Sequence, residues 1–77
     1  MPDSSHPASR VVAVLTKADA ASHGPQLPIG TLPPSQAGGE WVAYVGRGDG
    51  NHAFAWYSGA TEAEARATAQ AVVDANG

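Results

Sequence analysis

The chain has 77 residues, no cysteine and a formal charge of −3, from seven carboxylates and four basic side chains. This length predicts one small domain, and the lack of cysteine excludes disulfides and thiolate metal sites. The acidic balance predicts a protein partner and no direct nucleic-acid binding, because phosphate contacts need a basic patch.

The N-terminal residues 1–9 are predicted to be disordered, because they are polar and proline-containing with no large apolar side chain after Met1. They lack the basic and apolar regions of a signal peptide. The longest apolar run, Val11–Leu15, is too short to cross a membrane. We therefore expect a cytoplasmic protein, with residues 10–77 forming a single α+β domain. The single Lys and the many Ala and Gly residues indicate a bacterial or phage genome, and hence a bacterial host cell.

Residues 10–17 are rich in β-branched side chains and predict a strand. The apolar run is continuous rather than alternating. This favours either a central strand covered on both faces or an edge strand with one face against a partner.

The segment 18–40 contains four prolines and four glycines, which exclude a long helix or a central strand. It predicts a long loop, with a short helix at 18–22 left open. Leu27, Ile29 and Leu32 could pin this loop onto the core. The alternative is a loop that contacts a partner, since long irregular connections are often functional.

Residues 40–46 and 52–58 predict a hairpin, because Asp49-Gly50 favours a tight turn. A turn of two or four residues pairs Val45 with Phe54, and a turn of three residues is rejected because it would reverse the faces of one strand. The predicted partners are Val45 with Phe54, Ala43 with Trp56, and Trp41 with Ser58. The predicted faces are Trp41, Val45, Phe54 and Trp56 on one side, and Val42, Tyr44, Ala53, Ala55 and Tyr57 on the other.

A C-terminal helix is predicted over residues 62–75. Thr61 and Glu64 form a capping-box pattern at its start, and Asn76-Gly77 is a stop signal. The expected inward stripe is Ala65, Thr68, Ala69, Val72 and Ala75. The fold class is therefore α+β: a three-stranded antiparallel sheet with one C-terminal helix, in the order β–long loop–β–β–α.

No residue set specifies a chemistry. The histidines lack metal-ligand spacing, and Ser58 has no triad partners. Arg47-Gly48-Asp49 matches the adhesion tripeptide, but its glycine and aspartate already serve the turn. We therefore predict no enzyme activity, no cofactor and no metal.

The predicted partner-binding surface is the sheet face opposite the helix. Tyrosine is enriched in interfaces, and an uncharged sheet face is unusual for an exposed surface. The candidate residues are Val42, Tyr44 and Tyr57, with Arg47, Asp49 and His52 at the hairpin tip. The alternative is that the long loop folds back over this face.

Residues 39–71, GEWVAYVGRGDGNHAFAWYSGATEAEARATAQA, resemble the arm-type DNA-binding domain of tyrosine integrases. The shared pattern is a Gly-x-Trp strand start, an Asp-Gly tip, an aromatic third strand and Thr-x-x-Glu-Ala opening a helix. The resemblance implies that the sheet would lie in a DNA groove, with Arg47 and His52 near phosphate.

Over its full length the chain is similar in type to small anti-CRISPR proteins of phages and mobile elements, which are short, acidic and cysteine-poor. Inhibitors of type I systems, with subtype I-C as the specific candidate, show a similar sheet-plus-helix form. The similarity implies a non-enzymatic inhibitor that binds a crRNA-guided surveillance complex and blocks target-DNA binding. The chain itself is expected to be a monomer or a weak homodimer.

The helix cap gives the first testable prediction. Thr61→Ala should lower the free energy of unfolding by about 0.5–2 kcal/mol, because an amide at the helix start loses its acceptor. Urea denaturation measures this change, and Thr61→Ser is the matched control that keeps the hydroxyl. An unchanged stability of Thr61→Ala would mean that the helix begins elsewhere.

Overall fold

The computed structural model describes residues 9–47 and 52–76. Within these ranges the chain forms three strands, two helices and one 3-10 turn. In chain order they are β1 (Ser9–Thr16), α1 (Lys17–His23), the 3-10 turn (Pro34–Gln36), β2 (Trp41–Arg47), β3 (Ala55–Gly59) and α2 (Glu62–Asn76). The predicted disordered terminus, apart from Ser9, and the predicted turn at 48–51 lie outside the described residues.

The fold is α+β, as predicted: the strands form one antiparallel sheet in the order β1-β2-β3, and α2 follows as the C-terminal helix. The central strand is β2, in which Val42, Ala43, Tyr44 and Val45 are at most 1% exposed. β1 is an edge strand with half-buried side chains on both faces. Neither predicted alternative holds as stated: β1 is an edge strand and not a central one, and residues of this chain pack on both of its faces.

An irregularity in β1 changes the alternation of its side chains between the two faces of the sheet. Its pairing with β2 shifts between Val11 and Ala13, as at a β-bulge. Val12 and Ala13 consequently pack on the same side of the sheet, whereas Val11 and Val14 pack on the other side against α2.

The predicted register of the hairpin is wrong by one residue. Val45 pairs with Ala55 rather than Phe54, and Ala43 pairs with Tyr57 rather than Trp56. A slip of one residue moves every side chain of a strand to the opposite face. Trp56 therefore packs with Tyr44, away from α2, and Tyr57 packs on the α2 side.

The start of β3 gives the physical reason for this slip. The Phe54 amide donates to the Val45 carbonyl at 2.9 Å, although the Cα partner of Val45 is Ala55. Two consecutive residues thus meet one residue of β2, as in a bulge. The preceding amide, that of Ala53, donates at 2.8 Å to the Gln26 carbonyl of the long loop instead of to β2.

Helix α2 begins as predicted. The Thr61 hydroxyl accepts a hydrogen bond from the Glu64 amide at 3.1 Å, which satisfies one of the free donors of the first turn. Ala65 and Ala69 are fully buried against the sheet, and Val73 continues their stripe. The predicted inward positions Thr68 and Ala75 are exposed, because the helix turns Val73 toward the sheet instead.

The close approach of α2 to the sheet depends on Gly59. A methyl group added at Gly59 would lie 2.5 Å from the backbone nitrogen of Ala65, so even alanine would push the helix away. Alanine at Gly38 would meet nothing within 4 Å, and the backbone φ of Gly38 is not in the left-handed region.

These two glycines form a matched pair for a stability test. Gly59→Ala should lower the free energy of unfolding by about 1–3 kcal/mol through overpacking. Gly38→Ala should leave it unchanged or raise it by about 0.4–1 kcal/mol, because alanine restricts the unfolded chain. Urea denaturation of both variants checks the packing, and equal effects would contradict the described docking of α2.

Candidate functional site

The sheet face that was predicted to be open is covered. Val42 and Tyr44 are 0% and 1% exposed, and they pack with Ala20 of α1 and Ala37 of the following loop. The structure therefore confirms the alternative prediction, in which the long loop folds back over this face. We call residues 24–40 the cover loop.

The short helix left open by the sequence is present as α1, which begins where the Thr16 hydroxyl accepts from the Asp19 amide at 3.2 Å. The chain leaves α1 at Gly24. A methyl group there would lie 2.5 Å from the Tyr44 hydroxyl oxygen, so only glycine lets the backbone pass over this ring. Gly24 thus fixes where the cover loop begins.

Hydrogen bonds from the sheet and from the first residue of α1 hold the cover loop in place. The Lys17 ammonium group donates to the Ala37 carbonyl at 2.7 Å, and the Trp56 indole donates to the Leu32 carbonyl at 2.8 Å. The backbone carbonyl of Gln26 accepts a hydrogen bond from the Ala53 amide. These bonds satisfy loop carbonyls that the short turns within the loop leave without a partner.

The cover loop presents apolar side chains to solvent. Residues 28–31 form a turn in which the Thr31 amide donates to the Pro28 carbonyl at 3.1 Å, and Gly30 has a φ of +94°. Glycine at this position suits a type II turn. Ile29 is 106% exposed and Leu32 is 63% exposed, so only Leu27 of the three predicted pinning residues packs on the core. We call residues 28–31 the Ile29 turn.

An open cleft of about 450 Å³ lies beside the start of β3. We call it the hairpin-end cleft, and its described lining residues are Arg47, His52, Ala53 and Phe54. The Arg47 guanidinium carbon lies 5.4 Å from the centroid of the Phe54 ring, which is within cation–π range. The His52 ring nitrogen Nε2 hydrogen-bonds the Gln26 side-chain oxygen at 3.0 Å, which ties this cleft to the cover loop.

The predicted site residues do not form one surface. Val42 and Tyr44 lie beneath the cover loop, and Tyr57 is half-buried on the α2 side. Arg47 and His52 do come together, in the hairpin-end cleft. Asp49 lies outside the described residues.

Sequence reasoning missed Ile29, Leu32 and Phe54 as exposed apolar side chains. The signal for Ile29 was present, since Pro28-Ile29-Gly30-Thr31 matches a type II turn with glycine at its third position. A side chain at the tip of such a turn has no neighbour on the inside. Nothing local indicates that Phe54 meets Arg47, because that contact depends on the shifted register.

Within the described ranges, no three His, Asp or Glu side chains converge as metal ligands would, and no helix is long and apolar enough to span a bilayer. Comparison with known proteins gives no matching family model, no matching curated protein and no matching solved structure. The functional proposals below therefore depend on the residues described above.

The covered tyrosine predicts a specific pH dependence. Burial raises the pKa of the Tyr44 hydroxyl above its ordinary value of 10.0. Above about pH 10 the unfolded chain loses this proton while the folded chain retains it, so the free energy of unfolding should fall as pH rises through the folded-state pKa. Below about pH 10 this contribution is present in full.

Tyr44→Phe should show a weaker fall in stability than the wild-type chain when urea denaturation is compared at about pH 8 and about pH 11. The measurement at the lower pH is the control, because tyrosine is then neutral in both states. Parallel losses of stability in the two proteins would contradict the burial of the hydroxyl under the cover loop.

Proposed function

We propose that this protein is a non-enzymatic inhibitory interaction module, most concretely an anti-CRISPR protein that binds a type I crRNA-guided surveillance complex and blocks its binding of target DNA. The chain binds this partner through the Ile29 turn and the adjoining hairpin-end cleft. The observation that carries the proposal is the complete exposure of the Ile29 side chain on a turn of defined geometry.

An exposed isoleucine on a fixed turn is suited to bind a pocket. Burying a side chain of this size in a partner yields about 1.5–3 kcal/mol. The positive φ of Gly30 and the Pro28–Thr31 hydrogen bond already hold the turn, so association orders little additional chain. Leu32, in the same loop, adds a second exposed apolar side chain.

The charge of the protein fits a partner that binds nucleic acid. A surface that holds target DNA is basic, because its affinity comes largely from phosphate contacts. A protein of net charge −3 is attracted to such a surface and can occupy it. Asp19, Glu40, Glu62, Glu64 and Asp74 are all exposed.

The alternative from the sequence is an arm-type module whose sheet lies in a DNA groove. That mode needs an uncovered sheet face. In the described residues one face carries α2 and the other carries α1 and the cover loop. This arrangement supports the inhibitor proposal over the DNA-binding one, and a single experiment separates the two.

The experiment is a gel-shift titration with a purified type I-C surveillance complex and its target DNA, and with the protein and DNA alone as control. Loss of the complex-bound band is expected, with no shift by the protein itself. A shift by the protein alone would favour the arm-type alternative. No effect in either arm would reject both functions.

Ile29→Ser tests the binding surface in the same assay. It should raise the concentration needed for inhibition about tenfold or more, because the apolar contact is lost. Its thermal midpoint should equal that of the wild-type chain, since Ile29 makes no core contact. Ala67→Ser on the exposed side of α2 is the matched control and should inhibit normally. Normal inhibition by Ile29→Ser would exclude the Ile29 turn as the anchor.

A further inference from the structure

Among the described residues that line the hairpin-end cleft, Arg47 carries the permanent charge, and its side chain is exposed. Its guanidinium contacts the Phe54 ring, and no carboxylate of residues 9–47 or 52–76 forms an ion pair with it. A cation that no carboxylate of the described residues neutralises can attract an anionic group from outside.

The contact with Phe54 restricts the position of the Arg47 guanidinium before a ligand binds. A guanidinium over an aromatic ring is held by the ring quadrupole. Its planar set of N–H donors then needs little ordering when it binds, and that set matches the two oxygens of a carboxylate or a phosphate. Phe54 is itself 40% exposed, so the ring also offers apolar surface beside the cation.

The other lining residues favour a ligand with an apolar stem. Ala53 is buried, and a smaller neighbouring cleft, lined by Gln26, Leu27, Pro28, His52 and Ala53, continues the surface toward the Ile29 turn. The bond between His52 and Gln26 spans the junction of the two clefts. One binding segment could therefore place an acidic group at Arg47 and an apolar group toward the cover loop.

We propose that the hairpin-end cleft binds the carboxylate of an Asp or Glu side chain that is flanked by apolar residues in the partner protein. This assignment rests on the proposed function and names the chemistry of the partner segment. The net charge of −3 favours this occupant over nucleic acid, because a polyanion is repelled by the exposed carboxylates whereas one side chain meets mainly Arg47.

The test uses the full chain and two blocked tripeptides, acetyl-Leu-Glu-Leu-amide and acetyl-Leu-Gln-Leu-amide, with a short oligothymidylate as the phosphate-bearing probe. Chemical shifts of the Arg47 side-chain N–H and of the backbone amides at 52–54 are followed by NMR. The glutamate peptide should bind in the millimolar range and move these signals. The glutamine peptide should bind about fivefold more weakly, because it lacks the charge.

Arg47→Gln should weaken binding of the glutamate peptide about fivefold, to the level of the glutamine peptide. Arg47→Lys keeps the charge but lacks the planar donors. Its affinity for the glutamate peptide should therefore lie between that of the wild-type chain and that of Arg47→Gln. Arg66→Gln is the matched control: it removes the same charge from the exposed surface of α2 and should bind like the wild-type chain. Unchanged dispersion of the amide spectrum shows that each variant is folded.

Equal responses to the two peptides, equal losses in Arg47→Gln and Arg66→Gln, or binding of the oligothymidylate in place of the glutamate peptide would each overturn the assignment. The outcome is independent of the gel shift. Inhibition without peptide binding would leave the proposed function and remove the carboxylate site. Peptide binding without inhibition would keep the carboxylate site and reject the proposed function.

Discussion

The constraint on which the structure depends is that β2 must be covered on both faces. Four consecutive side chains of this strand, at positions 42–45, are fully buried, and in a strand they alternate between the two sides of the sheet. Helix α2 covers one side with Ala65 and Ala69. The chain has no second long helix in the described residues, so α1 and the cover loop form the other layer.

A loop used as a layer differs from a helix in two ways. Several of its carbonyls need partners from elsewhere, and here the side chains of Lys17 and Trp56 and the amide of Ala53 provide them. It also lacks a regular inner and outer face, so apolar residues that do not reach the sheet remain in solvent. Leu27 reaches the sheet layer, whereas Ile29 does not. The surface that we propose for partner binding is thus a consequence of how the sheet is covered.

Irregular pairing at both edges of the sheet gives the molecule its second surface feature. The shift in β1 places Val12 and Ala13 on one side, which thickens the core beneath the cover loop. The irregularity before β3 leaves Phe54 in contact with Arg47 and opens the hairpin-end cleft. Irregular pairing of this kind is often found next to functional sites, where it redirects side chains.

Local patterns in the sequence determined the elements themselves: the β-branched run of β1, the Thr61 cap of α2 and the proline-rich connection each depend on neighbouring residues. The same patterns gave the α+β class and the antiparallel sheet. They did not determine the side on which Trp56 and Tyr57 lie, because that register depends on the bond between Ala53 and Gln26, which are far apart in sequence. Nor did they show that Tyr44 is covered, Ile29 exposed and Arg47 beside Phe54. Only tertiary structure decided these points, since a one-residue slip of a strand leaves local propensities nearly unchanged but exchanges every contact that the strand makes.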